Sequence, residues 1–557
     1  MYLERIEVVG FRGINRISLS LDENTVLIGE NAWGKSSLLD ALTLCLSPQN
    51  DLYRFEAHDF YFPPGDETAR EHHLQIVFTF CESLRGHARS RRYHRLSPLW
   101  QQGEDRLQRI YFRQEGELSD DGTVCTWRSF LNEQGEALAL HHVDLLAREL
   151  IRLHPVLRLR DARFIRRLHP NVLAGRQHPD QGQLAQQLAD LTRELVCNPQ
   201  KLSNSELRAG LGAMQQLLEH YFAANGDETA AGARRRHRNE IIHGRQAWRS
   251  LENINQMIAE SGSRNMRLIL LGLFSTLLQA QGAVILDHHA RPLLLIEDPE
   301  TRLHPIMLSV AWGLLNLLPL QKVTTTNSGD LLALMPVERV CRLVRQSGRV
   351  ATYRIGPRGM SPEDSRRIAF HIRFNRASSL FARCWLLVEG ETEVWLLSEL
   401  ARQCGYHFDT EGIKVIEFAQ CGLRPLIKFA RRMGIAWHVL VDGDEAGRKY
   451  AATVRGLLLD GMQETERDRL TMLPAPDMEH FMYHEGFAEV YHQMAGIPAS
   501  APMAARKVII KAIHRSSKPD LAILVAARAE EAGVSQVPLL LKNMFSRVLW
   551  LARGKAD

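Results

Sequence analysis

Apolar and polar positions alternate with a period close to two over residues 3–9, 14–21 and 25–28, and again over 74–80, 107–113 and 123–130. Successive side chains of a strand point to opposite faces, so these short, β-branched runs predict strands separated by charged loops. One helix interrupts them at 35–46, directly after a glycine loop. From 150 to 260 the period changes. Residues 183–196 and 206–223 carry apolar side chains at three- and four-residue spacing, the signature of one buried helix face. Between helical stretches, the Gly- and Ala-rich and then strongly basic residues 225–238 predict an exposed loop.

Residues 264–356 alternate again: helix, apolar strand 292–296, helix 306–318, strand 322–326. Such alternation implies a parallel sheet covered by helices. Residues 356–364 (GPRGMSPED) read as a linker, and 384–388, 413–418 and 437–441 then predict strands of a second, smaller α/β domain over 380–557. The most apolar stretch, 268–286, is broken by Ser275, Thr276, Gln279 and Gln281. Its apolar runs fall short of the ~20 residues that span a bilayer, so it predicts a buried core helix. Glu4, Arg5 and Glu7 stand where a secretory leader would carry its apolar region.

Composition changes this picture little. A chain of 557 residues with 45% hydrophobic and 24% charged side chains is that of an ordinary soluble, multi-domain protein. Its eight cysteines are scattered and form no C-x-x-C pair, which argues against a disulfide framework or a zinc site and for a reducing cytoplasm. The formal net charge, +5, does not by itself announce a nucleic-acid binder. Divided along the chain it becomes informative. Residues 1–150 carry 16 basic and 23 acidic side chains, 151–260 carry 16 and 11, 261–379 carry 15 and 8, and 380–557 carry 22 of each. A basic middle therefore leads into a balanced C-terminal domain.

The strongest chemical signal is Gly29-Glu30-Asn31-Ala32-Trp33-Gly34-Lys35-Ser36-Ser37, which satisfies G-x-x-x-x-G-K-[ST] between a predicted strand and a predicted helix. Gly29 and Gly34 let the backbone curl so that successive N–H groups face a phosphate, and the helix N-terminus adds its positive dipole end. Lys35 would reach the β- and γ-phosphates, and the Ser36 hydroxyl would bind Mg²⁺. Asn31 and Ser37 complete the loop. A second acid at a neighbouring strand end is needed, and Leu293-Leu294-Leu295-Ile296-Glu297-Asp298-Pro299-Glu300 supplies it. Glu297 would join the Mg²⁺ shell, and Asp298 would orient or deprotonate the attacking water.

The opening with Phe11-Arg12-Gly13, the GENAWGKSS loop and IEDPETRLHP resemble the ABC-type ATPases of the SMC, RecF and OLD (overcoming lysogenization defect) class. That resemblance implies a composite ATP site completed by a second subunit's signature segment. Glu260-Ser261-Gly262-Ser263 is similar to a degenerate signature, with Ser261 and Gly262 facing nucleotide; it reads equally as a helix cap. Thr324-Thr325-Thr326-Asn327-Ser328 puts Asn327 where the class usually has a switch histidine. An amide hydrogen-bonds a γ-phosphate but carries no proton. Asp298 is also shorter than the glutamate usual at its position. Both departures imply slow hydrolysis with nucleotide binding kept.

In the C-terminal domain Trp385-Leu386-Leu387-Val388-Glu389-Gly390-Glu391-Thr392-Glu393 is a strand ending in carboxylates, and Val439-Leu440-Val441-Asp442-Gly443-Asp444 is a second. Parallel strands bring such endings to one edge, where ligands bind. Glu389, Asp442 and Asp444 would converge there, with Glu393 one helical turn after Glu389. Clustered carboxylates repel unless hard cations neutralise them, so Mg²⁺ or Mn²⁺ is implied. The pattern is similar to the Toprim domain of type II topoisomerases, primases and OLD nucleases. On that resemblance Glu389 matches the family glutamate, Asp442 and Asp444 its Asp-x-Asp, and Glu393 the further acid of the OLD branch. Asp477 and Glu479 match the acids of a second metal, and Lys518 the OLD lysine.

The order of motifs, covering nearly the whole chain, implies an α/β fold of OLD type. An ABC-type ATPase would span 1–150 and 261–360, interrupted by a helical dimerisation insertion at 151–260 and followed by Toprim at 380–557. The implied activity is an ATP-binding, Mg²⁺- or Mn²⁺-dependent DNA endonuclease acting as a homodimer without sequence preference. A RecF-like repair clamp that does not cleave, and a regulatory ATPase acting on a protein partner, are the alternatives. For DNA the sequence offers Arg234-Arg235-Arg236-His237-Arg238, equally a solvated loop, and ten arginines between 338 and 379 (339, 342, 345, 349, 354, 358, 366, 367, 373 and 376). No interleaved aromatics in that stretch suggest base stacking.

Overall fold

The computed structural model describes residues 1–31, 33–48, 51–63, 71–159, 290–302, 308–309, 312, 320–356, 359–458 and 465–554. The signature-like Ser261 and Gly262, the basic run 234–238 and all but the first residues of the expected helical insertion lie outside them. The chain forms two compact units, Met1–Leu334 with Gly348–Thr352, and Met335–Ser347 with Tyr353–Asp557. No helix among the described residues is long and apolar enough to cross a membrane.

The first unit holds an antiparallel sheet. β1 (Tyr2–Phe11) pairs with β2 (Ile14–Ser20) and, on its other side, with β4 (His73–Cys81). The sheet continues through β6 (Gln108–Leu118), which is flanked by the short β5 (Gln101–Gln102) and by β7 (Val124–Leu131). Phe78, Phe112 and Phe130 stack across β4, β6 and β7 at centroid spacings of 6.2 and 5.1 Å, which fixes the register of that face. A two-residue turn, Arg12-Gly13, joins β1 to β2, with Arg12 at φ 47°.

Beside it run parallel strands: β3 (Asn24–Ile28), β8 (Val156–Leu159), β9 (Leu293–Glu297) and β10 (Lys322–Thr325), in the order β3-β10-β9-β8. The near-continuous apolar run of β9 is what a strand buried on both faces requires. Gln321 ties the two sheets, accepting from the Leu3 N–H at 2.9 Å and donating to the Leu3 carbonyl at 2.7 Å. The expected strands at 3–9, 14–21, 25–28, 74–80, 107–113 and 123–130 are therefore present, shifted by a few residues at some ends. A helix at Val143–Leu153 begins earlier than the change of period suggests.

The chain changes unit around β11 (Val340–Gln346) and β12 (Arg349–Arg354). The second unit is a parallel sheet of β13 (Cys384–Val388), β14 (Ile413–Glu417), β15 (Ala436–Val441) and β16 (Leu470–Met472), ordered β14-β13-β15-β16. Helices Glu391–Gln403, Leu423–Arg432 and Glu445–Leu457 connect the strands. Four further helices, from Ala488–Ala495 to Leu539–Arg553, close one core with the helix that follows β13.

Two expectations need correction here. Residues 356–364 are not all linker, because Ser361 caps a helix at Pro362–Ile368 by accepting from the Asp364 N–H at 3.1 Å. A serine followed by Pro at the first helical position is itself a helix-start signal. Nor do the ten arginines form one basic surface. Arg342 is buried and donates to the Met433, Gly434 and Ala382 carbonyls at 3.2, 2.8 and 2.9 Å, which binds β11 into the second unit's core. Arg376 pairs with the buried Glu417, and, contrary to the expectation of no interleaved aromatics, the exposed Phe370 and Phe374 fall within the arginine-rich stretch, Arg373 lying 4.3 Å over the Phe374 ring.

Candidate functional sites

At the C-terminal edge of the parallel strands in the first unit, the loop after β3 meets the ends of β9 and β10. Gly34 sits at φ 87° and immediately precedes the helix Lys35–Cys45, and a Cβ there would lie 2.9 Å from Ile14. Lys35 is buried. Its ammonium donates to the Gly29 carbonyl and, at 3.1 Å, to Asn327 Oδ1. Burial holds that ammonium below its ordinary value, opposed by the charges of Asp298, Glu300 and Glu30. Asn31 and Ser36 are exposed, whereas the Ser37 hydroxyl accepts from the Gly13 N–H at 3.2 Å and ties the phosphate loop to the β1–β2 turn.

The acids after β9 are not equivalent. Glu297 is forked by Arg158 of β8, with Nε–Oε2 and Nη2–Oε1 both 2.9 Å. Arg158 also pairs with Asp40, Asp40 with Arg12, and Arg12 with Asp59, so the charges alternate in sign away from the site. Asp298 occupies the left-handed region at φ 40°, and its Oδ1 accepts from the Thr325 hydroxyl at 3.0 Å. That conformation is costly for a residue with a Cβ and persists only where its surroundings enforce it. Glu300 Oε1 accepts from the Asn327 N–H at 2.7 Å, while its Oε2 is buried without a hydrogen-bond partner among the described residues. Sequence reasoning missed Arg158, Asp40 and Glu300. An arginine inside a short apolar strand was the available signal, because a buried guanidinium demands an acid.

In the second unit the carboxylates stand at the C-terminal edge of β13 and β15. Glu389 follows β13, and Glu393 sits in the first turn of the next helix, where its Oε2 accepts from the Gly390 N–H at 3.1 Å. Asp442 follows β15. Asp444 caps the helix Glu445–Leu457 by accepting from the Gly447 N–H at 2.7 Å. Two glycines make this loop possible: a Cβ at Gly447 would lie 1.8 Å from the Asp442 carbonyl, and one at Gly443 would lie 2.5 Å from that of Ala475. The Gly443 N–H donates to the Ala475 carbonyl at 2.9 Å, which draws in the segment bearing Asp477 and Glu479.

Asp477 accepts from both the backbone N–H and Nδ1 of His480 at 2.7 Å, and Lys518, the first residue of its helix, pairs with Glu479 at 2.9 Å. The electrostatics of the edge run one way. Burial, then the charges of Glu393, Glu389, Asp477 and Glu479, push Asp442 up to about 8. Burial with Asp444 and Glu393 raises Glu389, and burial with Glu479 raises Glu393. Burial opposes the charged form of Lys518, but the hydrogen bond and charge of Glu479, with Asp477 and Glu393, raise it overall. Glu389 Oε2 is buried with no hydrogen-bond partner among the described residues. The six acids thus lie within each other's fields, although no three acidic, His or Cys side chains among the described residues form a closed cation cage.

A family described as "Protein of unknown function (DUF2813)" matches residues 1–379, and one described as "Overcoming lysogenization defect protein-like, TOPRIM domain" matches residues 380–444. The chain is 64% identical over 563 residues to the uncharacterized protein YbjD of Escherichia coli (strain K12), covering 100% of both chains. It is similar to the C-terminal region of the Burkholderia pseudomallei OLD protein, with 19% identity, 31% of this chain and 99% of that one covered, and a TM-score of 0.27. It is also similar to the Smc head domain with an extended coiled coil from Pyrococcus furiosus, with 13% identity, 67% and 99% covered, and a TM-score of 0.32.

Proposed function

The chain belongs to the DUF2813 family, proteins of unknown function, and carries an OLD-like Toprim domain; on that premise we propose that it is an ATP-binding, divalent-metal-dependent DNA endonuclease. The observation that carries this reading is the edge after β13 and β15, where Glu389, Glu393 and Asp442 all disfavour their own ionisation. Hard oxygen donors that repel one another and include a buried, unpartnered Glu389 Oε2 fit Mg²⁺ or Mn²⁺. Glu389, Asp442 and Asp444 would hold one cation, with Glu393, Asp477 and Glu479 serving a second. Bound there, such ions supply a polarised water and neutralise the departing 3′ oxygen of a phosphodiester. Lys518, steered by Glu479, places a positive charge beside the phosphate as negative charge develops on it.

The phosphate-loop unit would take ATP, with Lys35 moving from the Gly29 carbonyl and Asn327 onto the phosphates and with Ser36 and Glu297 facing Mg²⁺. A second copy would complete that site through Ser261 and Gly262, with 151–260 as the dimerising segment, in a cytoplasmic enzyme that grips the DNA backbone irrespective of sequence. The test is plasmid nicking by the purified protein with Mg²⁺, Mn²⁺ or Ca²⁺, with and without ATP. Cleavage with Mg²⁺ or Mn²⁺ supports the nuclease. DNA binding without cleavage under any of these conditions replaces it with a clamp, and absence of both points to a partner-directed ATPase.

A further inference from the structure

Hydrolysis at the phosphate loop needs a group that accepts the proton of the attacking water, and the three acids after β9 differ in their availability for it. Glu297 has both oxygens forked by Arg158. Asp298 has Oδ1 engaged by the Thr325 hydroxyl and its backbone held at φ 40°. Asn327, whose amide takes the Lys35 ammonium, carries no titratable proton. Glu300 is differently placed. One of its oxygens anchors the Asn327 N–H at 2.7 Å, and the other is buried with no partner among the described residues. Its charge also reaches the Lys35 ammonium. A buried acceptor with no donor costs about 1–3 kcal/mol, so its persistence beside a phosphate loop calls for an occupant that donates to it.

We propose that Glu300 is the catalytic acceptor of the ATPase site: Oε1 fixes Asn327 against the γ-phosphate, and Oε2 receives the hydrogen bond and then the proton of the attacking water. The water oxygen bonds to the γ-phosphorus as the bond from that phosphorus to the β–γ bridging oxygen breaks. ADP leaves with the bridging oxygen, and the proton passes to Oε2. Asn327 and Glu300 together then do what one protonatable side chain could do alone, the amide contacting phosphate and the carboxylate behind it handling the proton. The inference rests on the ATPase reading above.

The experiment measures, on the full-length protein, binding of a fluorescent ATP analogue with Mg²⁺ and steady-state ATP turnover against pH, for the wild type, Lys35→Ala, Glu300→Gln and Glu300→Asp. Glu300→Gln keeps an acceptor for the Asn327 N–H. It should bind the analogue within about 3-fold of the wild type while turnover falls ~10²–10⁴-fold. Glu300→Asp retains a carboxylate one methylene shorter and should recover part of the rate, which separates proton acceptance from mere folding. Wild-type turnover unchanged in Glu300→Gln overturns the proposal and leaves the ATPase reading standing. A wild type that binds the analogue no better than Lys35→Ala overturns both, and one that binds but never hydrolyses overturns the proposal.

Discussion

At the phosphate loop, charges alternate in sign from Glu297 through Arg158, Asp40 and Arg12 to Asp59, and Lys35 is held by neutral oxygens. At the edge after β13 and β15, carboxylates lie in the fields of other carboxylates, with Lys518 paired to Glu479 and Arg448 donating to the Gly443 carbonyl. Each arrangement indicates what has to arrive. In the first, Arg158 and Arg12 already have carboxylate partners, so a phosphate must take Lys35 from the neutral oxygens that hold it. The second holds uncompensated negative charge, so divalent cations gain there what the acids cannot supply to one another. On the proposed function, nucleotide enters where the guanidinium groups already have partners, whereas DNA approaches the carboxylate edge once divalent cations have neutralised it.

The comparison breaks most visibly at the second site. Replacing Asp442 and Asp444 together by Ala should lower metal-dependent nicking by ~10³-fold or more, since both cation-facing oxygens at the end of β15 are lost. ATP affinity, measured by fluorescent-analogue titration on the same preparation, should not move. Nicking that survives the double substitution removes the metal site from this edge. Next in size is Lys35→Ala, which should weaken ATP binding by ~100-fold through loss of the buried ammonium at the loop. Equal affinity for labelled nucleotide would show that Lys35 is a structural partner of Gly29 and Asn327 and nothing more.

What could be read from the sequence follows the same division. The strands that carry Gly29, Glu297, Glu389 and Asp442 were legible because each is a short apolar run that stops at a glycine or an acid. Resemblance to the OLD branch brought Asp477 and Lys518 into consideration, although nothing local says that the Gly443 N–H reaches Ala475 and pulls that segment in. The partners of the first site were not legible. Arg158 and Glu297 are separated by 139 residues in the chain, and Arg12 and Asp40 by 28, so their pairing is a product of sheet order that no window shows. Arg342 was misread for a related reason, because an arginine in a list of arginines looks solvent-facing until three backbone carbonyls are found around it.

The alternating network can be sharpened directly. Arg158→Ala leaves Glu297 and Asp40 partly buried without their shared cation, and the unfolding free energy should fall by about 2–4 kcal/mol in denaturant titration. The loss exceeds that expected of an exposed pair such as Arg528–Glu531, about 0–1 kcal/mol, because the Arg158 side chain is only 5% exposed. Added Mg²⁺ should return more stability to Arg158→Ala than to the wild type, since Glu297 then lacks its competing guanidinium. Equal responses would mean that Arg158 and a cation do not contend for the same carboxylate.

The smallest effect is a pH dependence at the second site. Asp442 is pushed from its ordinary 3.8 up to about 8 in the folded protein, so between those values the native state holds a proton that the unfolded chain has released. Stability contributed there is present below the lower value and is lost as pH climbs toward the upper one, the reverse of a salt-bridged aspartate. In EDTA the wild type should therefore melt about 2–4 °C lower at pH 8 than at pH 5, after subtraction of the same difference in Asp442→Asn. Mn²⁺ at pH 8 should restore the wild type and do less for Asp442→Asn, because the cation replaces the proton as the neutralising charge. A wild type and Asp442→Asn that melt in parallel across this range, with and without Mn²⁺, would show that the carboxylates do not strain one another, and the contrast between the two sites would then reduce to their motifs.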